Sequence, residues 1–191
     1  MKVLVVYASR HGGTRGIAER IGEVLAAEGC EAPVVAPDVA PAVASFDAVV
    51  IGSGVYMGSW LKEATEFIEG NKEALATLPV WLFSSGPLRG SSRSTTTHDA
   101  VTDALGPTDG PGSGGRKKVD DLSRAIHPRD HQVFEGAFDP ADPPRAMSER
   151  LIRMMPSSNK ILPPGDFRDW PAIEAWAHAI ARALHPAMPV A

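Results

Sequence analysis

The chain has 191 residues, of which 43% are hydrophobic and 22% are charged, values that are ordinary for one soluble globular domain. The net charge of −4 is mild and indicates no general class of partner, and no nucleic-acid partner is expected. The single cysteine, Cys30, excludes an internal disulfide framework and suits a reducing compartment. No apolar stretch has the length of a membrane-spanning helix or the pattern of a signal peptide, so we expect a cytoplasmic protein.

The N-terminal segment predicts a strand, a glycine-containing turn and a helix in direct succession. Residues 3–6 (VLVV) form an apolar run that is too continuous for a strand with one exposed face, which favours a central parallel strand. The small and polar residues 9–14 (SRHGGT) follow, and the next apolar residues have helical spacing. Because the free amides and the dipole of a helix N-terminus attract anions, this turn predicts a phosphate site.

Two further apolar runs end in small residues that are glycine or carry a hydroxyl group. Residues 46–51 are followed by the tripeptide GSG at 52–54, and residues 78–84 by SGP at 85–87. The carboxyl ends of parallel strands share one edge of a sheet, where ligands bind in doubly wound folds. We therefore expect three loops to converge on one crevice of a doubly wound α/β domain.

The remaining elements are predicted from apolar periodicity and from helix-breaking residues. Strands are expected at 33–39 and 131–138, and helices at 61–75, 117–126, 145–155 and after a cap at Asp169. Residues 89–116 are rich in Gly, Pro and Ser and predict a flexible insertion loop in a single domain that spans residues 1–191. Packing roles are expected for Trp60, Trp81, Trp170 and Trp176.

Residue types exclude several phosphate-binding and catalytic loops. No GxxxxGK[ST] motif occurs, and His11 stands where the dinucleotide fingerprint requires a glycine. No cysteine ends the first strand, as a phosphatase loop would require, and Ser53 stands in place of the aspartate of a receiver domain. A nucleophile elbow GxSxG is also missing. Cys30 has no base beside it in the sequence and the histidines are scattered, so neither a reactive thiol nor a metal site is expected.

The turn after the first strand resembles the phosphate loop of flavodoxin, in which a hydroxyl residue, two variable positions and Gly-x-Thr open the first helix. The resemblance implies a five-stranded parallel sheet in the order 2-1-3-4-5 and FMN as the cofactor. It also implies that the hydroxyls of Ser9 and Thr14, with the amides between them, hold the phosphate, and that two later loops flank the isoalloxazine ring. The implied cofactor-binding residues are Ser9, Arg10, His11, Gly12, Gly13, Thr14, Ser53, Gly54, Val55, Tyr56, Met57, Gly58, Ser84, Ser85, Gly86, Pro87 and Leu88.

Tyr56 is the expected ring contact within this set, because a planar aromatic side chain can stack on isoalloxazine. The alternative is a rim aromatic that touches no ligand. Gly54 and Gly58 either allow a peptide to turn toward the flavin N5 or serve as ordinary turn glycines.

The resemblance extends to the flavodoxin-like branch that contains the quinone-dependent protoporphyrinogen dehydrogenases. It is carried by YASRHGGTRGIAERI, by IGSGVYMGSWLKEATEFI, and by RAMSERLIRMM before GDFRDWPAIEAWAHAIA. The sequence departs from that branch at residues 89–116 and at residues 55–57 (VYM), which lack the arginine expected before the aromatic. The branch implies a dehydrogenase that passes electrons to a quinone or to a redox partner protein.

The predicted helix at residues 145–155 carries Arg145, Arg150 and Arg153 next to apolar residues such as Met155. This composition is compatible with peripheral contact between residues 145–155 and an anionic membrane surface, where a quinone would be met. The alternative is a helix that covers the sheet edge and has solvated arginines.

Two classes of function therefore stay open. In the first, the protein is an FMN-binding oxidoreductase that transfers electrons; no nucleophile or acid–base pair stands out in the sequence, which suits chemistry supplied by a cofactor. In the second, it is a flavodoxin-shaped binding or regulatory module without flavin, in which residues 88–116 fill or cover the crevice.

Overall fold

A parallel five-stranded sheet lies at the centre of the fold. The computed structural model describes residues 1–56, 58–86, 113–144, 150, 154 and 164–185, with side chains from residue 118 onward in the third range. The strands are β1 Val3–Ala8, β2 Val34–Val35, β3 Ala48–Tyr56, β4 Ser59–Trp60, β5 Val80–Gly86, β6 Asp130–Glu135, β7 Ala137–Phe138 and β8 Gly165–Asp166. The order β2-β1-β3-β5-β6 confirms the predicted order 2-1-3-4-5, because β4 only folds back on β3.

Helices cover both faces of this sheet. They are α1 Gly13–Ala27, α2 Lys62–Gly70, α3 Lys72–Leu75, α4 Ser113–Ile126 and α5 Trp170–Leu184. Val3 and Val5 of β1 pack with α1 and α5, whereas Leu4 and Val6 lie on the other face, with α2, α3 and α4. The apolar run of β1 is continuous because both of its faces are buried.

Three predicted elements are shorter than expected, each at a proline or a glycine. The strand predicted at 33–39 is reduced to the two residues of β2, and a 3-10 turn follows at Pro37–Val39, since proline cannot donate to a ladder. The helix predicted at 61–75 divides into α2 and α3 after Gly70. The strand predicted at 131–138 divides at a glycine into β6 and β7.

Two predicted segments lie partly outside the described residues. The first, 89–116, was predicted as a flexible loop; α4 begins within it, at Ser113. The second is the basic helix at 145–155, of which Arg150 and Met154 are described; the Met154 amide donates to the Arg150 carbonyl over 3.3 Å. Within the described ranges, no helix combines the length and the apolar character that crossing a bilayer requires.

An antiparallel ribbon of β7 and β8, which the sequence did not predict, lies at the carboxyl edge of the sheet. Ala137 pairs with Asp166 in this ribbon. The Gly136 amide donates to the Gly86 carbonyl over 3.2 Å, and the Phe167 amide donates to the Gly136 carbonyl over 3.1 Å. The ribbon is therefore attached to the end of β5.

Most of the predicted packing residues are buried, and the thiol has an unexpected neighbour. The buried tryptophans are Trp60, Trp81 and Trp176, whereas Trp170 is only partly buried. Cys30 is buried, and its Sγ lies 3.6 Å from Nε2 of His185. This base is distant in the sequence, so sequence adjacency could not reveal it.

Candidate functional site

The strand register brings the three predicted loops to one edge of the sheet. Ala8, the last residue of β1, pairs with Ser53 of β3, and Ser53 pairs with Ser84 of β5. One residue further along, Gly54 pairs with Ser85. The segments after these pairs start at the same level, which confirms the convergence predicted from the sequence.

The turn between β1 and α1 has the geometry of an anion-binding helix N-terminus. Gly12 precedes the helix with a φ of 80°, a left-handed conformation that glycine adopts at little cost. Its carbonyl accepts a hydrogen bond from the Gly16 amide over 2.9 Å. In the described part of the chain, no side chain caps this helix and its first turn carries no acid. The positive end of the helix dipole is thus directed at the turn, with no carboxylate in the first turn to oppose an anion.

Glycines allow the loops to contact one another. Thr14 is buried, and a β-carbon on Gly54 would lie 3.2 Å from Thr14 Oγ1 and 2.9 Å from the Tyr56 ring. A β-carbon on Gly86 would lie 3.2 Å from the carbonyl oxygen of Val55. Because these separations are too short for ordinary packing, glycine is needed for the first loop to meet the second and for the second to meet the third.

Tyr56 lies beside Arg10 and His11 of the turn after β1. The guanidinium carbon of Arg10 is 4.8 Å from the centroid of the tyrosine ring, within the range of a cation–π interaction. The His11 ring centroid is 6.5 Å from that of Tyr56. An aromatic surface and a cation thus meet where the first two loops join. Stacking of Tyr56 on a flavin ring stays a prediction.

Ser53 and Ser84, both predicted as cofactor contacts, have fully buried side chains. Ser53 Oγ accepts from the Leu61 amide and donates to the Gly54 carbonyl, each over 3.0 Å. Ser84 Oγ accepts from the Trp60 indole nitrogen over 2.8 Å. These hydroxyls hold β4 and the start of α2 against the sheet.

His131 completes a polar cluster below the loops that sequence reasoning missed. Its Nε2 lies 2.9 Å from Ser84 Oγ, and its ring packs edge-to-face against Trp60 with a centroid separation of 5.6 Å. Burial lowers the pKa of His131 to about 4, although the neighbouring Asp130 acts in the opposite direction. The imidazole is therefore neutral at pH 7. A lone histidine near the start of a strand carries no periodic signal by which it could have been found.

The other predicted site residues lie along the same rim. Ser9 is half-buried and Ser85 is buried. Gly58 has a φ of 74° in the turn from β3 into β4, which explains why a glycine occupies that position. The predicted residues that lie outside the described part of the chain are Met57, Pro87 and Leu88.

Residues 137–142, which include β7, pack directly on the turn between β1 and α1. A β-carbon on Gly13 would lie 3.1 Å from the carbonyl oxygen of Ala137. The His11 side chain is 5% exposed, and its Nδ1 lies 3.6 Å from a carboxylate oxygen of Asp142. The His11 ring also meets Phe138 edge-to-face, with centroids 6.3 Å apart. The sequence could not reveal these contacts, because they depend on the path of the chain after β6.

The side chain of Arg168, which follows β8, contacts the start of α1. It donates to both carboxylate oxygens of Asp166, and its guanidinium carbon lies 4.4 Å from the centroid of the Trp170 ring. A β-carbon on Gly16 would lie 2.4 Å from Arg168 Nη1, so the guanidinium contacts the first turns of the helix. Hydrogen bonds from Arg168 lower the pKa of Asp166, and the pair is ionised at neutral pH. Because the Asp166 carboxylate balances this guanidinium, the pair adds no net charge at the start of α1.

A family model described as Flavodoxin domain matches residues 4–155 of the sequence. The chain belongs to the flavodoxin family. Membership implies FMN as the cofactor and a flavin-dependent electron-transfer role. The residues present fit that cofactor, since the left-handed Gly12 turn, the uncapped start of α1 and the nearby guanidinium of Arg10 suit a phosphate monoester.

Solved structures share the flavodoxin fold with this protein. A mutant of flavodoxin from Pseudomonas aeruginosa has a TM-score of 0.55 and 16% identity, over 97% of this chain and 99% of that one. Oxidised flavodoxin 2 from Bacillus cereus has a TM-score of 0.51 and 19% identity, over 97% of this chain and 99% of that one. Rubredoxin oxygen:oxidoreductase from Desulfovibrio gigas has a TM-score of 0.55 and 16% identity over 96% of this chain, which spans 36% of that protein. A comparison with curated proteins finds no match.

Proposed function

We propose that this flavodoxin-family protein is an FMN-dependent oxidoreductase that exchanges electrons with a redox partner protein or with a quinone. The observation that carries the proposal is the meeting of three glycine-containing turns at one sheet edge. There Gly54 lies against both Thr14 and Tyr56, with no room for a β-carbon, so an anion site and an aromatic surface adjoin. That combination suits a flat heterocycle with a phosphate-bearing tail.

The proposed cofactor contacts follow from this arrangement. The phosphate would lie at the N-terminus of α1, held by the amides after Gly12 and by the hydroxyls of Ser9 and Thr14. The ring would lie between the loops at 53–58 and 84–88, with Tyr56 as its aromatic contact. When bound, the flavin supplies the exchange of one or two electrons. The task of the protein is to bind the phosphate, orient the ring and limit its contact with water.

The finer proposal is a quinone-linked dehydrogenase of the protoporphyrinogen type. It is supported by the sequence resemblance over the first, middle and last segments of the chain. The Met154 side chain is 79% exposed and lies one helical turn from the exposed Arg150. An exposed apolar side chain near a cation supports peripheral contact with an anionic membrane, reached from the cytoplasm. The single thiol of Cys30 supports that location.

Flotation with liposomes tests the membrane contact. We expect the protein to float with vesicles that contain phosphatidylserine. With neutral phosphatidylcholine vesicles, we expect it to remain at the bottom of the gradient. Replacing both Arg150 and Met154 by Ser is expected to abolish flotation. If the unaltered protein does not float with the anionic vesicles at physiological salt, the membrane contact is wrong and a redox partner protein becomes the preferred acceptor.

Titration of the purified protein with FMN tests the function itself. We expect stoichiometric uptake, a yellow absorbance that dithionite bleaches, and weaker binding of riboflavin, which lacks the phosphate. A protein that takes up no FMN would instead favour the flavin-free binding or regulatory module. Equal affinity for FMN and riboflavin would overturn the assignment of the phosphate to the turn after β1.

A further inference from the structure

Three hydrogen-bonded side chains, of which Trp60 and Ser84 are buried and His131 is partly buried, connect β4 with β5 and β6. The Trp60 indole nitrogen donates to Ser84 Oγ over 2.8 Å, and Ser84 Oγ lies 2.9 Å from His131 Nε2. Trp60 is 6% exposed and Ser84 is fully buried. In such an environment each polar atom must be satisfied by its neighbours, because the alternative bonds to water are lost.

The donor and acceptor properties of Trp60, Ser84 and His131 indicate which group donates in each hydrogen bond. An indole nitrogen can only donate, so Ser84 Oγ accepts from Trp60. Within the described residues, the Ser84 hydroxyl can donate its single proton to its other hydrogen-bonding neighbour, His131 Nε2. That nitrogen must be unprotonated in order to accept, which places the imidazole proton on Nδ1. Trp60 therefore donates to Ser84 and Ser84 donates to His131 only when the imidazole is neutral.

The hydrogen bonds among Trp60, Ser84 and His131 support the second loop of the proposed flavin site. β4 folds back on β3, with Val55 opposite Trp60 and Tyr56 opposite Ser59. The loop has a second anchor where Ser53 Oγ accepts from the amide that follows Trp60. The indole and this amide are thus the two points at which the returning arm of the loop is held to the sheet.

We propose that His131 is a positioning residue for the flavin-facing loop at residues 53–61. Through Ser84 it orients the indole of Trp60, and through β4 it sets the position of Tyr56 opposite the phosphate loop. The inference rests on the proposed function, because it assigns this loop to the flavin ring.

Protonation of His131 is expected to disturb this arrangement. An imidazolium donates from both nitrogens, so the Ser84 hydroxyl proton loses its acceptor inside the protein. Asp130, on the same strand, is the charged neighbour whose field acts on the imidazole. β5 and β4 contribute the neutral Ser84 and Trp60, and α4, which packs against β4, has buried apolar residues on its inner side. Loop position and flavin affinity therefore become linked to the protonation of one side chain.

Two substitutions separate the hydrogen bond from the bulk of the ring. His131→Gln keeps an oxygen that can accept from Ser84 but does not titrate, whereas His131→Phe keeps a ring without an acceptor. Ile173→Val, in the core on the opposite face of the sheet, is the control for a general loss of stability. Affinities for FMN and riboflavin are measured from pH 7.5 to pH 4, because the pKa of His131 is about 4 and the imidazole becomes protonated only toward the acid end of this range. Riboflavin is included because the FMN phosphate itself titrates with a pKa near about 6.

We expect His131→Phe to bind both flavins about fivefold more weakly at pH 7, as the loss of one hydrogen bond implies. His131→Gln is expected to bind them as the unaltered protein does at pH 7, and to lose the weakening of riboflavin binding on acidification. Ile173→Val is expected to change neither property. If His131→Phe binds riboflavin as tightly as the unaltered protein, or if His131→Gln keeps its acid sensitivity, the proposal is wrong.

A readout without flavin keeps this test independent of the proposed function. Hydrogen exchange of the Trp60 indole, assigned in NMR spectra with Trp60→Phe, is measured in the flavin-free protein. We expect faster exchange in His131→Phe than in His131→Gln or Ile173→Val, because the indole loses its fixed acceptor. Unchanged exchange would overturn the positioning role. A protein that binds no flavin but shows this exchange pattern would overturn the proposed function alone.

Discussion

Gly54 lies directly against Thr14 at the carboxyl edge of the sheet, where a β-carbon at position 54 would come within 3.2 Å of Thr14 Oγ1. The same β-carbon would lie 2.9 Å from the Tyr56 ring. The two atoms belong to different loops, so a larger residue at 54 must push them apart. We expect Gly54→Ala to weaken FMN binding about tenfold and Gly54→Val more strongly, as measured by quenching of flavin fluorescence.

Gly70 supplies the control for this experiment. It ends α2, and a β-carbon there would meet no atom within 4 Å. Gly70→Ala is expected to leave FMN affinity unchanged and the fold at least as stable, since alanine favours the helical state. Equal effects of the substitutions at 54 and 70 would show that the close contact with Thr14 has no role in binding.

Two glycines with the same backbone conformation allow the cost of backbone strain to be separated from the effect on FMN binding. Gly12 and Gly29 have φ values of 80° and 85°, and neither has an atom within 4 Å of an added β-carbon. Gly12 starts α1 and Gly29 follows its end. Each alanine variant is expected to lose about 1 kcal/mol of unfolding free energy in urea, because the left-handed conformation is costly with a β-carbon.

Only Gly12→Ala is expected to weaken FMN binding, by about tenfold, because its carbonyl and amide belong to the turn proposed to hold the phosphate. Riboflavin binding should be affected less. If Gly29→Ala weakens FMN binding as much as Gly12→Ala does, the effect comes from global stability and not from the turn.

The strand order was predicted from the resemblance to flavodoxin, whereas the central strand and the edge of the site could be predicted from local signals. The residues of β1 are apolar without interruption since both faces of the strand are covered. The turn at Gly12 has the residue types that a strand-to-helix connection with a phosphate requires. Neither signal depends on knowing which distant segments come into contact.

The direction of individual side chains could not be predicted in the same way. The resemblance implied that Ser53 and Ser84 contact the cofactor. Their hydroxyls are buried and bind Leu61 and Trp60, because β4 folds back on β3. A cofactor contact at these positions would use the backbone and stays a prediction. Strand alternation decides which side chains face a crevice, and a one-residue difference reverses the outcome. The contact of Asp142 with the phosphate loop depends on the tertiary path of the chain and has no local signal.

The stability of the fold is expected to fall on acidification because of His131. Burial lowers its pKa from 6.5 to about 4 in the folded state, so between these values the unfolded chain binds more protons. The unfolding free energy therefore rises with pH across this window, and up to about 3 kcal/mol is lost as the pH falls through it. The lowered pKa of Asp166 changes the unfolding free energy only below its ordinary value of 3.8, which lies outside the range between pH 4 and pH 6.5.

Urea denaturation at pH 7 and at pH 4.5 measures this dependence. His131→Gln is expected to lose less stability between the two values than the unaltered protein, because it has no proton to take up. Other carboxylates contribute equally to both proteins, so the difference between them isolates His131. Parallel curves for the two proteins would mean that the imidazole is protonated with an ordinary pKa.

The contact between Arg10 and Tyr56 is expected to couple phosphate binding to ring binding. The guanidinium carbon lies 4.8 Å from the tyrosine centroid, and Arg10 itself belongs to the turn that precedes α1. Arg10→Met should weaken FMN binding more than riboflavin binding, since it removes a charge beside the phosphate turn. Tyr56→Leu should weaken both flavins alike, because the ring contact is common to them.

A double-mutant cycle on the unfolding free energy measures the interaction between the Arg10 and Tyr56 side chains. We expect the unfolding free energies of the two single variants and the double variant to differ from additivity by about 0.5–1 kcal/mol, as for other exposed cation–π pairs. Arg129 over Trp81, at 5.3 Å, is a matched pair at the opposite end of β5. Its variant Arg129→Met should leave both flavin affinities unchanged. Additive energies at Arg10 and Tyr56 would contradict the coupling, and equal losses of FMN and riboflavin affinity in Arg10→Met would separate this cation from the phosphate.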